Sequence, residues 1–486
     1  MIFKNFEIVI GIENHVELKT KSKMFGYGPV VYGAEPNTKV SEVDMGYPGA
    51  LPSVNKKGVK LAILAANALN MEIDALLRFD RKNYYYPDLV KGYQITQQFH
   101  PIGRNGELTI TLSDNTKKNI TIERMHIEED TAKQIHKNDT TFIDYNRSGV
   151  GLIEIVTNPI ISSAEEAIAY VEKLREILLY LGVSDVKMNE GSLRCDVNIS
   201  VRPFGCNKLG TKVEIKNLNS LSNVKKAIDF EVERQTKLYM AGKNVDMETR
   251  RFDETLQETV SMRKKSNSVD YKYFREPNIM PIRLDDNWIE YIISNSPETA
   301  DIKRYRYQKE YGLKFDETNS ILQNMSIMSF FEQTISLTTN YTKVANLIIT
   351  DIQAYLNKNN FETISDTYLL PENLAELINL VDDGLISSKH IKTILPIILE
   401  SDSVTPKKII ENLKIKLISD PNEIKKMIMI VINENLDLLT QYDNRPERVL
   451  KTIMGILMKN TQGNINPDIT QKILVEQINE ILEKQK

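Results

Sequence analysis

The sequence changes its hydrophobic periodicity once, near residue 290, and this change limits the folds that the chain can adopt. Before it, short β-type runs such as FEIVIGI, NITIERMHI and VGLIEIVTNPI are separated by glycine and proline. Two segments with helical spacing interrupt them, SSAEEAIAYVEKLREILLYLG and LSNVKKAIDFEVERQTKLYMAG, and each ends in glycine, a residue that often terminates helices. From Trp288 onward helical periodicity dominates. The pattern predicts an α+β region followed by helical regions.

The chain is too long for one hydrophobic core. At 486 residues it should form roughly two to four domains. A hinge-like segment, residues 401–406, divides the helical part. We therefore predict three domains: an α+β domain over residues 1–292, a helical domain over 293–405 and a helical tail over 406–486.

The charge balance excludes a chain that is basic throughout. With 62 basic and 66 acidic residues, the net charge is −4. The predicted tail, residues 406–486, carries 13 basic and 11 acidic residues, a net charge of +2 against −6 for the rest. This small contrast permits contact between the tail and a polyanion without demonstrating it.

Cysteine use and hydrophobicity both indicate a cytoplasmic protein. Cys195 and Cys206 are too few for a disulfide framework and lack the spacing of a zinc site. The N-terminal MIFKNFEIVIGIE is strand-like and has no signal-peptide layout. The apolar run IKKMIMIVI is far shorter than the roughly 20 residues that a membrane span requires. We expect no membrane association.

Familiar nucleotide-binding signatures are absent from the sequence. It has no Walker lysine loop, no G-x-G-x-x-G after a strand and no H-E-x-x-H. Any phosphate chemistry would therefore depend on a metal ion held by carboxylates and on scattered basic residues.

Acidic residues recur in several predicted strands. Because side chains alternate along a strand, GIENHVEL places Glu13, His15 and Glu17 on one face. GLIEIVTNP places Glu154 inside an apolar run, where a lone charge is costly unless it is paired or bound to a metal. These acids are candidates for a shared site.

The segment RMHIEED adds three consecutive acids. His126, Glu128 and Asp130 should share one strand face, and Glu129 should lie on the other. Carboxylates that converge from separate strands suit Mg²⁺, which takes hard oxygen ligands. Each acid taken alone is more simply explained by a salt bridge or a solvated edge. Both interpretations stay open at this point.

Two further segments have polar strand faces. They are GSLRCDVNISVRP and LGTKVEIKNLNSL, with alternating residues Arg194, Asp196, Asn198, Arg202 and Lys212, Glu214, Lys216. Cross-strand ion-pair ladders explain such patterns as well as catalysis does. The tyrosine-rich NYYYPDLVKGYQITQ is equally consistent with core packing and hydroxyl groups at the rim.

Nine motifs together resemble one family. In chain order they are GIENHVEL, AEPNTKV, NYYYPDLVKGYQITQ, RMHIEEDTAK, DYNRSGVGLIEIVTNP, GSLRCDVNISVRP, LGTKVEIKNLNSL, ETRRFDETLQETVSMRKK and DYKYFREPNIMPI. They resemble the GatB family, the B subunits of the heterotrimeric aspartyl/glutamyl-tRNA amidotransferases (GatCAB). The likeness continues through LVDDGLISSKHIKTIL and QGNINPDITQKIL, so it spans essentially the whole chain.

The resemblance implies a fold, a reaction and partners. The fold is an α+β, glutamine synthetase-like catalytic cradle followed by two all-helical domains. The reaction is the ATP-dependent phosphorylation of the side-chain carboxylate of Glu-tRNA(Gln) or Asp-tRNA(Asn), followed by amidation with ammonia. The glutaminase (A) subunit releases that ammonia from glutamine, and the A and C subunits complete the heterotrimer. Mg²⁺ and ATP are the implied cofactors.

The resemblance also implies roles for individual residues. The implied Mg²⁺ ligands are Glu13, Glu128 and Glu154, with His15 beside them either as a ligand or as a residue that orients phosphate. Lys91 is expected to line the path of ammonia into the cradle. Weaker candidates for phosphate contact are Arg147, Arg194 and Lys212, and candidate tRNA contacts in the tail are Lys407, Lys408, Arg445, Arg448 and Lys451.

One departure from the family concerns zinc. Many members carry four cysteines, two just after SKMF and two just before the glycine-proline turn. Here these places read Gly26, Tyr27, Gly28 and Ser41, Glu42, Val43, Asp44. Because a structural zinc site needs such thiolates, we expect no zinc.

Two other functions remain to be weighed against this one. A tRNA-binding adaptor that has lost catalysis would keep the helical domains but scatter the acids. An amide ligase acting on a free amino acid would have no need of the tail.

Overall fold

The computed structural model describes residues 5–264, 270–418, 420–439, 442, 445–461 and 463–485. The chain separates into two compact units, residues 1–300 and 301–486. The first unit combines helices with strands and the second is built from helices, so the predicted α+β class with a helical C-terminal part is confirmed. The predicted domain limits at 292/293 and 405/406 stay predictions.

The first unit contains all the strands of the described part of the chain. They are β1 Phe6–Glu17, β2 Glu72–Ile73, β3 Leu76–Leu77, β4 Asp80–Asn83, β5 Tyr93–Thr96, β6 Gly103–Thr111, β7 Lys117–Glu129, β8 Lys133–Lys137, β9 Thr140–Asp144, β10 Gly151–Thr157, β11 Leu193–Pro203, β12 Val213–Lys216, β13 Glu248–Asp253, β14 Glu258–Lys264, β15 Phe274–Arg275 and β16 Ile282–Arg283. Its helices are α1 Lys56–Ala68, α2 Ala164–Tyr180, α3 Leu221–Met240 and α4 Asp286–Ser294, with a 3₁₀ turn at Tyr145–Arg147.

The two helices that the sequence predicts in this unit are confirmed. Ser163 caps α2 by accepting a hydrogen bond from the Glu166 N–H at 3.1 Å, and Ser220 caps α3 in the same way. Gly182 and Gly242 follow the two helices with φ angles of +65° and +67°. That left-handed conformation is easy for glycine and ends each helix where the sequence indicates.

A nine-stranded sheet organises the first unit. Its order is β14-β13-β12-β11-β1-β10-β7-β6-β2, antiparallel except for the parallel pair β12 and β13. Central strand β1 pairs with β10 on one side and β11 on the other, which sets His15 opposite both Glu154 and Arg194. The centre of the sheet thus brings three polar sequence motifs side by side.

The two faces of this sheet differ sharply. Ile10, Ile12 and Val16 of β1 belong to the hydrophobic core, together with residues of α2 and α3. Because side chains alternate along β1, Glu13 and His15 lie on the opposite face. The core therefore lies on the helix side and the site on the other. The short sheet β15-β4-β5 brings further residues to that site.

The second unit is helical in its described part. Its helices are α5 Ala300–Lys309, α6 Phe315–Leu322, α7 Met325–Ile335, α8 Tyr341–Leu347, α9 Gln353–Asn359, α10 Pro371–Asp382, α11 Ser388–Glu400, α12 Pro406–Asn412, α13 Pro421–Glu434, α14 Leu436–Leu439, α15 Pro446–Asn460 and α16 Pro467–Gln485, with a π-helical turn at Ile348–Ile352 and a 3₁₀ turn at Ile364–Asp366. Residues 401–405 lie between α11 and α12, where the sequence indicates a hinge. A separate hydrophobic cluster joins α13, α15 and α16 through residues such as Ile428, Ile453 and Ile478. Among the described residues, no helix is both long enough and apolar enough to cross a membrane.

Candidate active site

Three side chains meet on the polar face of the nine-stranded sheet. His15 comes from β1, Glu154 from β10 and Glu128 from β7. The Nε2 atom of His15 lies 3.4 Å from Glu154 Oε2 and 3.6 Å from Glu128 Oε1. One ligand atom from each of the three lies within 4.8 Å of the others, so together they could hold a metal ion. These residues form the first carboxylate cluster.

His126 closes this first cluster from the side of β7. Its Nε2 atom lies 3.0 Å from Glu154 Oε2 and 3.5 Å from Glu128 Oε2. Burial alone would lower the pKa of His126, but the two neighbouring carboxylates outweigh that effect and raise its pKa to about 9. The same neighbours raise the pKa of His15 against the effect of its burial. Burial would raise the pKa of Glu154, yet the two histidines hold it well below its usual range.

The consecutive acids Glu128, Glu129 and Asp130 have three different environments. Glu128 faces the first cluster, as the strand alternation predicts. Glu129 accepts hydrogen bonds from Lys91 Nζ at 2.5 Å and from the Ile95 N–H at 3.0 Å. Asp130 forms ion pairs with two arginines, described below. Metal binding is therefore open to Glu128, and the simpler salt-bridge interpretation holds for its two neighbours.

A second carboxylate cluster lies one strand pair away. Glu13 of β1, Asp196 of β11 and Glu214 of β12 have carboxylate oxygens within 4.8 Å of one another. Lys216 Nζ lies 2.8 Å from Asp196 Oδ2 and 3.2 Å from Glu214 Oε1. Burial, together with the charge of the nearby Glu154, raises the pKa of Glu13. The predicted metal-ligand set is thus divided, since Glu13 lies in the second cluster and His15, Glu128 and Glu154 form the first.

The donor atoms of both clusters fit a hard divalent cation. Asn198 Nδ2 donates to Glu13 Oε1 at 2.7 Å, while its own amide oxygen is buried and has no hydrogen-bond partner among the described residues. An unpaired buried oxygen on a side chain bonded to Glu13 is the kind of ligand that Mg²⁺ accepts. The first cluster adds the His15 nitrogen, a softer donor that Mg²⁺ uses less often.

The two predicted phosphate-binding arginines are both held by Asp130. Arg194 Nη2 lies 2.6 Å from Asp130 Oδ2, and Arg147 Nε lies 3.5 Å from the same oxygen. Arg147 also donates to the carbonyl oxygens of Thr131 and Ala132 at 2.9 and 2.8 Å. These bonds fix both guanidinium groups beside the site. Lys212 is exposed immediately before β12, outside both clusters.

Lys82 is a further candidate, which the sequence motifs do not reveal. It lies on β4, in the small sheet, and its ammonium lies 4.9 Å from the centre of the Tyr271 ring. Burial alone would lower the pKa of Lys82, but Glu128 and Glu154 outweigh this effect and raise it. Nothing in the motif RKNYYYP distinguishes this lysine, because it belongs to a different sheet from Glu128 and Glu154.

The segment where the resemblance places zinc-binding cysteines has different contacts here. Ser41 donates to Asp44 Oδ2 from its N–H at 2.8 Å and from its hydroxyl at 2.9 Å. The buried Lys23 Nζ lies 3.7 Å from the same oxygen. A Cβ atom on Gly26 or Gly28 would overlap the Asp44 carboxylate, so the two glycines leave room for it. A carboxylate and a lysine occupy the centre of this segment.

A cavity of about 1030 Å³ opens beside both clusters. His15 and Asp196, one residue from each cluster, line it together with Arg147, Arg194 and Lys216. The cavity therefore connects the carboxylates with the fixed arginines in a single space large enough for a small-molecule substrate.

Comparison with known proteins gives matches over nearly the whole chain. Residues 8–290 match the GatB/GatE catalytic domain family, and residues 329–478 match the GatB domain family. The chain is 63% identical over 473 residues to the B subunit of the aspartyl/glutamyl-tRNA(Asn/Gln) amidotransferase of Mesoplasma florum, covering 97% of this chain and 98% of that protein. The chain belongs to the GatB family. The resemblance predicted from the sequence is therefore confirmed.

The GatB likeness extends to more distant relatives at nearly full length. The chain is 61% identical to the protein of the same name from Mycoplasma mycoides subsp. mycoides, over 98% of this chain and 99% of that one. It is 45% identical to the one from Macrococcus caseolyticus, again over 98% and 99%. Every carboxylate of the two clusters lies within the part that matches the GatB/GatE catalytic domain family.

Proposed function

We propose that the chain is the B subunit of a tRNA-dependent amidotransferase. It converts Glu-tRNA(Gln), Asp-tRNA(Asn) or both into the corresponding amide, using ATP and ammonia that a glutaminase subunit releases from glutamine. The observation that carries this proposal is the convergence of His15, Glu128 and Glu154 on one polar sheet face, in a chain of the GatB family. The identity of the tRNA substrates is taken from the names of the relatives described above.

The chemistry explains why ATP is required. Hydroxide is a poor leaving group, so a carboxylate must be activated before ammonia can replace its oxygen. Phosphorylation provides that activation, but it transfers a phosphoryl group from one anion to another. Charge that develops between the two anions must be compensated by cations fixed in advance.

The two carboxylate clusters are the proposed Mg²⁺ sites. Glu128 and Glu154, with His15 as a ligand or as a residue that orients phosphate, would hold one ion. Glu13 would hold a second together with Asp196 and Glu214. Bound Mg²⁺ would supply positive charge at the phosphate oxygens.

The remaining proposed roles belong to basic side chains. Arg147 and Arg194, already oriented by Asp130, would bind phosphate oxygens at the cavity wall. Lys212, exposed before β12, is a weaker candidate for the same role. Lys91 is proposed to line the path of ammonia, and its ammonium is held by an ion pair with Glu129 at the end of β7.

The wider assembly follows from the same proposal. Residues 1–292 would form a glutamine synthetase-like cradle, 293–405 a helical domain and 406–486 a tail that binds tRNA. The A and C subunits would complete a cytoplasmic heterotrimer.

In the tail, Arg445, Arg448 and Lys451 line one cavity of about 530 Å³, whereas Lys407 lies 3.2 Å from Glu376. Lys408 is an exposed candidate on α12.

Two alternatives are weaker. An adaptor without catalysis would not require the acids of separate strands to converge, yet they do. If the chain were instead a ligase for a free amino acid, the helices after residue 406 would have no role.

The test is to purify the chain with the A and C subunits and to supply glutamine, ATP and Mg²⁺ with each misacylated tRNA. We expect an amidated aminoacyl-tRNA that requires all three additions. Glutamine hydrolysis without any amidated product, with both tRNAs, would refute the proposal.

A further inference from the structure

A fully buried lysine in the first unit takes no part in the proposed chemistry. The side chain of Lys23 has no exposed surface. Its Nζ atom donates a hydrogen bond to the Ser148 carbonyl oxygen at 2.5 Å and lies 3.7 Å from Asp44 Oδ2. Burial lowers the pKa of Lys23 from its ordinary value of 10.5, although the charge of Asp44 opposes this effect. A charge is costly to bury unless it is paired and hydrogen-bonded, so these two partners indicate what the ammonium holds in place.

The two partners of Lys23 come from separate parts of the chain. Ser148 follows the 3₁₀ turn after β9, and Asp44 lies in the loop before α1. The two are also joined directly, because the Ser148 hydroxyl donates to the Asp44 carbonyl oxygen at 3.2 Å. Next to Lys23, the Met24 N–H donates to the Gly149 carbonyl oxygen at 2.8 Å. Lys23 therefore ties the turn that contains Ser148 and Gly149 to two other segments of the first unit.

Gly149 lets this turn approach Asp44 closely. Its φ angle is +82°, and a Cβ atom at this position would lie 2.6 Å from Asp44 Oδ1. That oxygen is buried and accepts no hydrogen bond from the described residues. In the described part of the chain, Lys23 is also the only cation that pairs with Asp44. The turn thus packs against a carboxylate whose charge is compensated by Lys23.

The same turn carries Arg147, one of the proposed phosphate-binding residues. The Gly149 N–H donates to the Asp130 carbonyl oxygen at 2.9 Å, and the Asp130 carboxylate holds the Arg147 guanidinium. Arg147 lines the cavity beside the two carboxylate clusters, whereas Lys23 does not. The direct connection from Lys23 to this cavity is therefore the backbone of the turn.

We propose that Lys23 is a positioning residue for Arg147. By holding the Ser148 carbonyl oxygen, its ammonium fixes the backbone that follows Arg147 and so the place at which the guanidinium meets the cavity. This inference rests on the proposed function, in which Arg147 binds phosphate oxygens. A displacement of about 1 Å in such a group can cost roughly a factor of 10² in rate. Lys23 thus affects the use of ATP without touching it.

The experiment measures kcat and KM for ATP in the complex with the A and C subunits, at saturating Glu-tRNA(Gln). Lys23→Met alone would leave the Asp44 carboxylate buried without a cation, a strongly destabilising change, so the comparison is made with Asp44→Asn present. Asp44→Asn alone keeps the Lys23 side chain and its bond to Ser148. Adding Lys23→Met removes that bond and leaves no buried charge behind. Both variants are then combined with Arg147→Gln.

We expect Asp44→Asn to retain the wild-type kcat/KM for ATP. Adding Lys23→Met should lower this value by about 10- to 100-fold. With Arg147→Gln present, the same addition should have little further effect, because no guanidinium is then left to misplace. If Lys23 only stabilised the fold, it would change the activity by a similar factor in both backgrounds.

Lys303→Met is the matched control. Lys303 is another buried lysine paired with a carboxylate, 2.7 Å from Glu332 Oε1 in the helical unit. The control should leave kcat/KM for ATP unchanged.

Three results would overturn the inference. They are an unchanged kcat/KM when Lys23→Met is added to Asp44→Asn, an equal loss with and without Arg147, and a loss for Lys303→Met as large as that for Lys23→Met. A wild-type complex that transfers no phosphate from ATP to the misacylated tRNA would instead contradict the proposed function itself, so the two failures can be told apart.

Discussion

His126 Nε2 and Glu154 Oε2 lie 3.0 Å apart on the paired strands β7 and β10, and both residues are buried. A buried carboxylate without a partner would be costly, and a nearby histidine with a raised pKa provides the compensating positive charge. The relationship explains how a sheet can bring carboxylates together before any metal ion binds. It also identifies the side chains whose charge matters most for the proposed chemistry.

Glu128→Gln and Glu154→Gln should each abolish the ATP-dependent step. Each substitution removes one negative charge from the first cluster while keeping the shape of the side chain. We expect phosphorylation of the misacylated tRNA to fall by about 10²-fold or more, the usual cost of removing one electrostatic contact to a transition state. Glutamine hydrolysis by the glutaminase subunit should stay measurable. Phosphate transfer from γ-labelled ATP is the measurement.

Glu166→Gln is the control for these variants. Glu166 is also buried, but it binds Lys118 and Ser162 at the start of α2, away from the cluster. It should retain phosphorylation. Normal phosphorylation by both cluster variants would remove the basis for the metal assignment.

The sequence predicted which side chains share a strand face but not which strands are neighbours. Alternation correctly separates Glu128 from Glu129. The register that sets Glu13 opposite Asp196 depends on the pairing of β1 with β11, about 180 residues away along the chain, and on the packing that selects it. For this reason the sequence alone could not assign the acids to two clusters, with Glu13 in one and Glu128 and Glu154 in the other.

Local signals were more informative than distant ones. The helix ends at Gly182 and Gly242 follow from glycine's access to positive φ, which depends on neighbouring residues alone. Lys82 could not be found in this way, because it belongs to a different sheet from Glu128 and Glu154. The ion-pair interpretation of the polar strand β11 was right for Arg202, whose Nε lies 2.6 Å from Glu7 Oε2.

The purified complex should contain no stoichiometric zinc. Where the resemblance places zinc-binding cysteines, Asp44 accepts two hydrogen bonds from Ser41 and lies beside Lys23, so a lysine supplies the positive charge. The measurement is elemental analysis of protein that was purified without a chelator. A content of about one zinc ion per chain would contradict this prediction and would require other ligands.

Deleting residues 406–486 should raise the KM for tRNA strongly and leave glutamine hydrolysis unchanged. The deleted segment carries a net positive charge, and its contacts with the tRNA body would be mainly to phosphate. Those contacts should weaken as salt rises. If the truncated complex binds tRNA as tightly as the intact one at matched salt, the segment has no role in binding.

A sharper variant neutralises the basic cavity in this segment. Replacing Arg445, Arg448 and Lys451 with Gln should lower the affinity for tRNA by a similar factor whatever the nucleotide sequence of the tRNA. The dependence of binding on salt should also become shallower, with the slope falling by about one for each phosphate that is no longer neutralised.

The matched control for the basic cavity is a second triple replacement by Gln. It changes three exposed lysines of the same segment that do not line that cavity, Lys426, Lys459 and Lys472. An equal loss of affinity in the two triple variants would show that net charge alone matters.

Glu332→Gln should destabilise the helical unit at neutral pH. Burial would raise the pKa of Glu332, but hydrogen bonds from Lys303, Arg306 and Tyr307 at 2.7, 2.6 and 2.9 Å outweigh it and hold the pKa below its ordinary value of 4.5. A depressed carboxyl pKa stabilises the folded state above the unfolded pKa, and this stabilisation is lost as pH falls through the folded pKa.

We therefore expect a loss of about 1.5–3 kcal/mol in the free energy of unfolding at pH 7, shrinking below the ordinary carboxyl pKa. Urea unfolding followed by circular dichroism at several pH values is the measurement. Glu310→Gln, at an exposed position just after α5, is the control. A loss that is equal at all pH values would show that the charge of Glu332 is not the cause.

The central claim is that this chain activates a carboxylate on tRNA for amidation. The most direct measurement presents Glu-tRNA(Gln) and Asp-tRNA(Asn) side by side to the complex with the A and C subunits, with glutamine, ATP and Mg²⁺, and identifies the amino acid on each tRNA afterwards. We predict Gln on tRNA(Gln), Asn on tRNA(Asn) or both, and neither product when ATP is omitted. Recovery of only the starting Glu and Asp, by a complex that hydrolyses glutamine normally, would contradict the account.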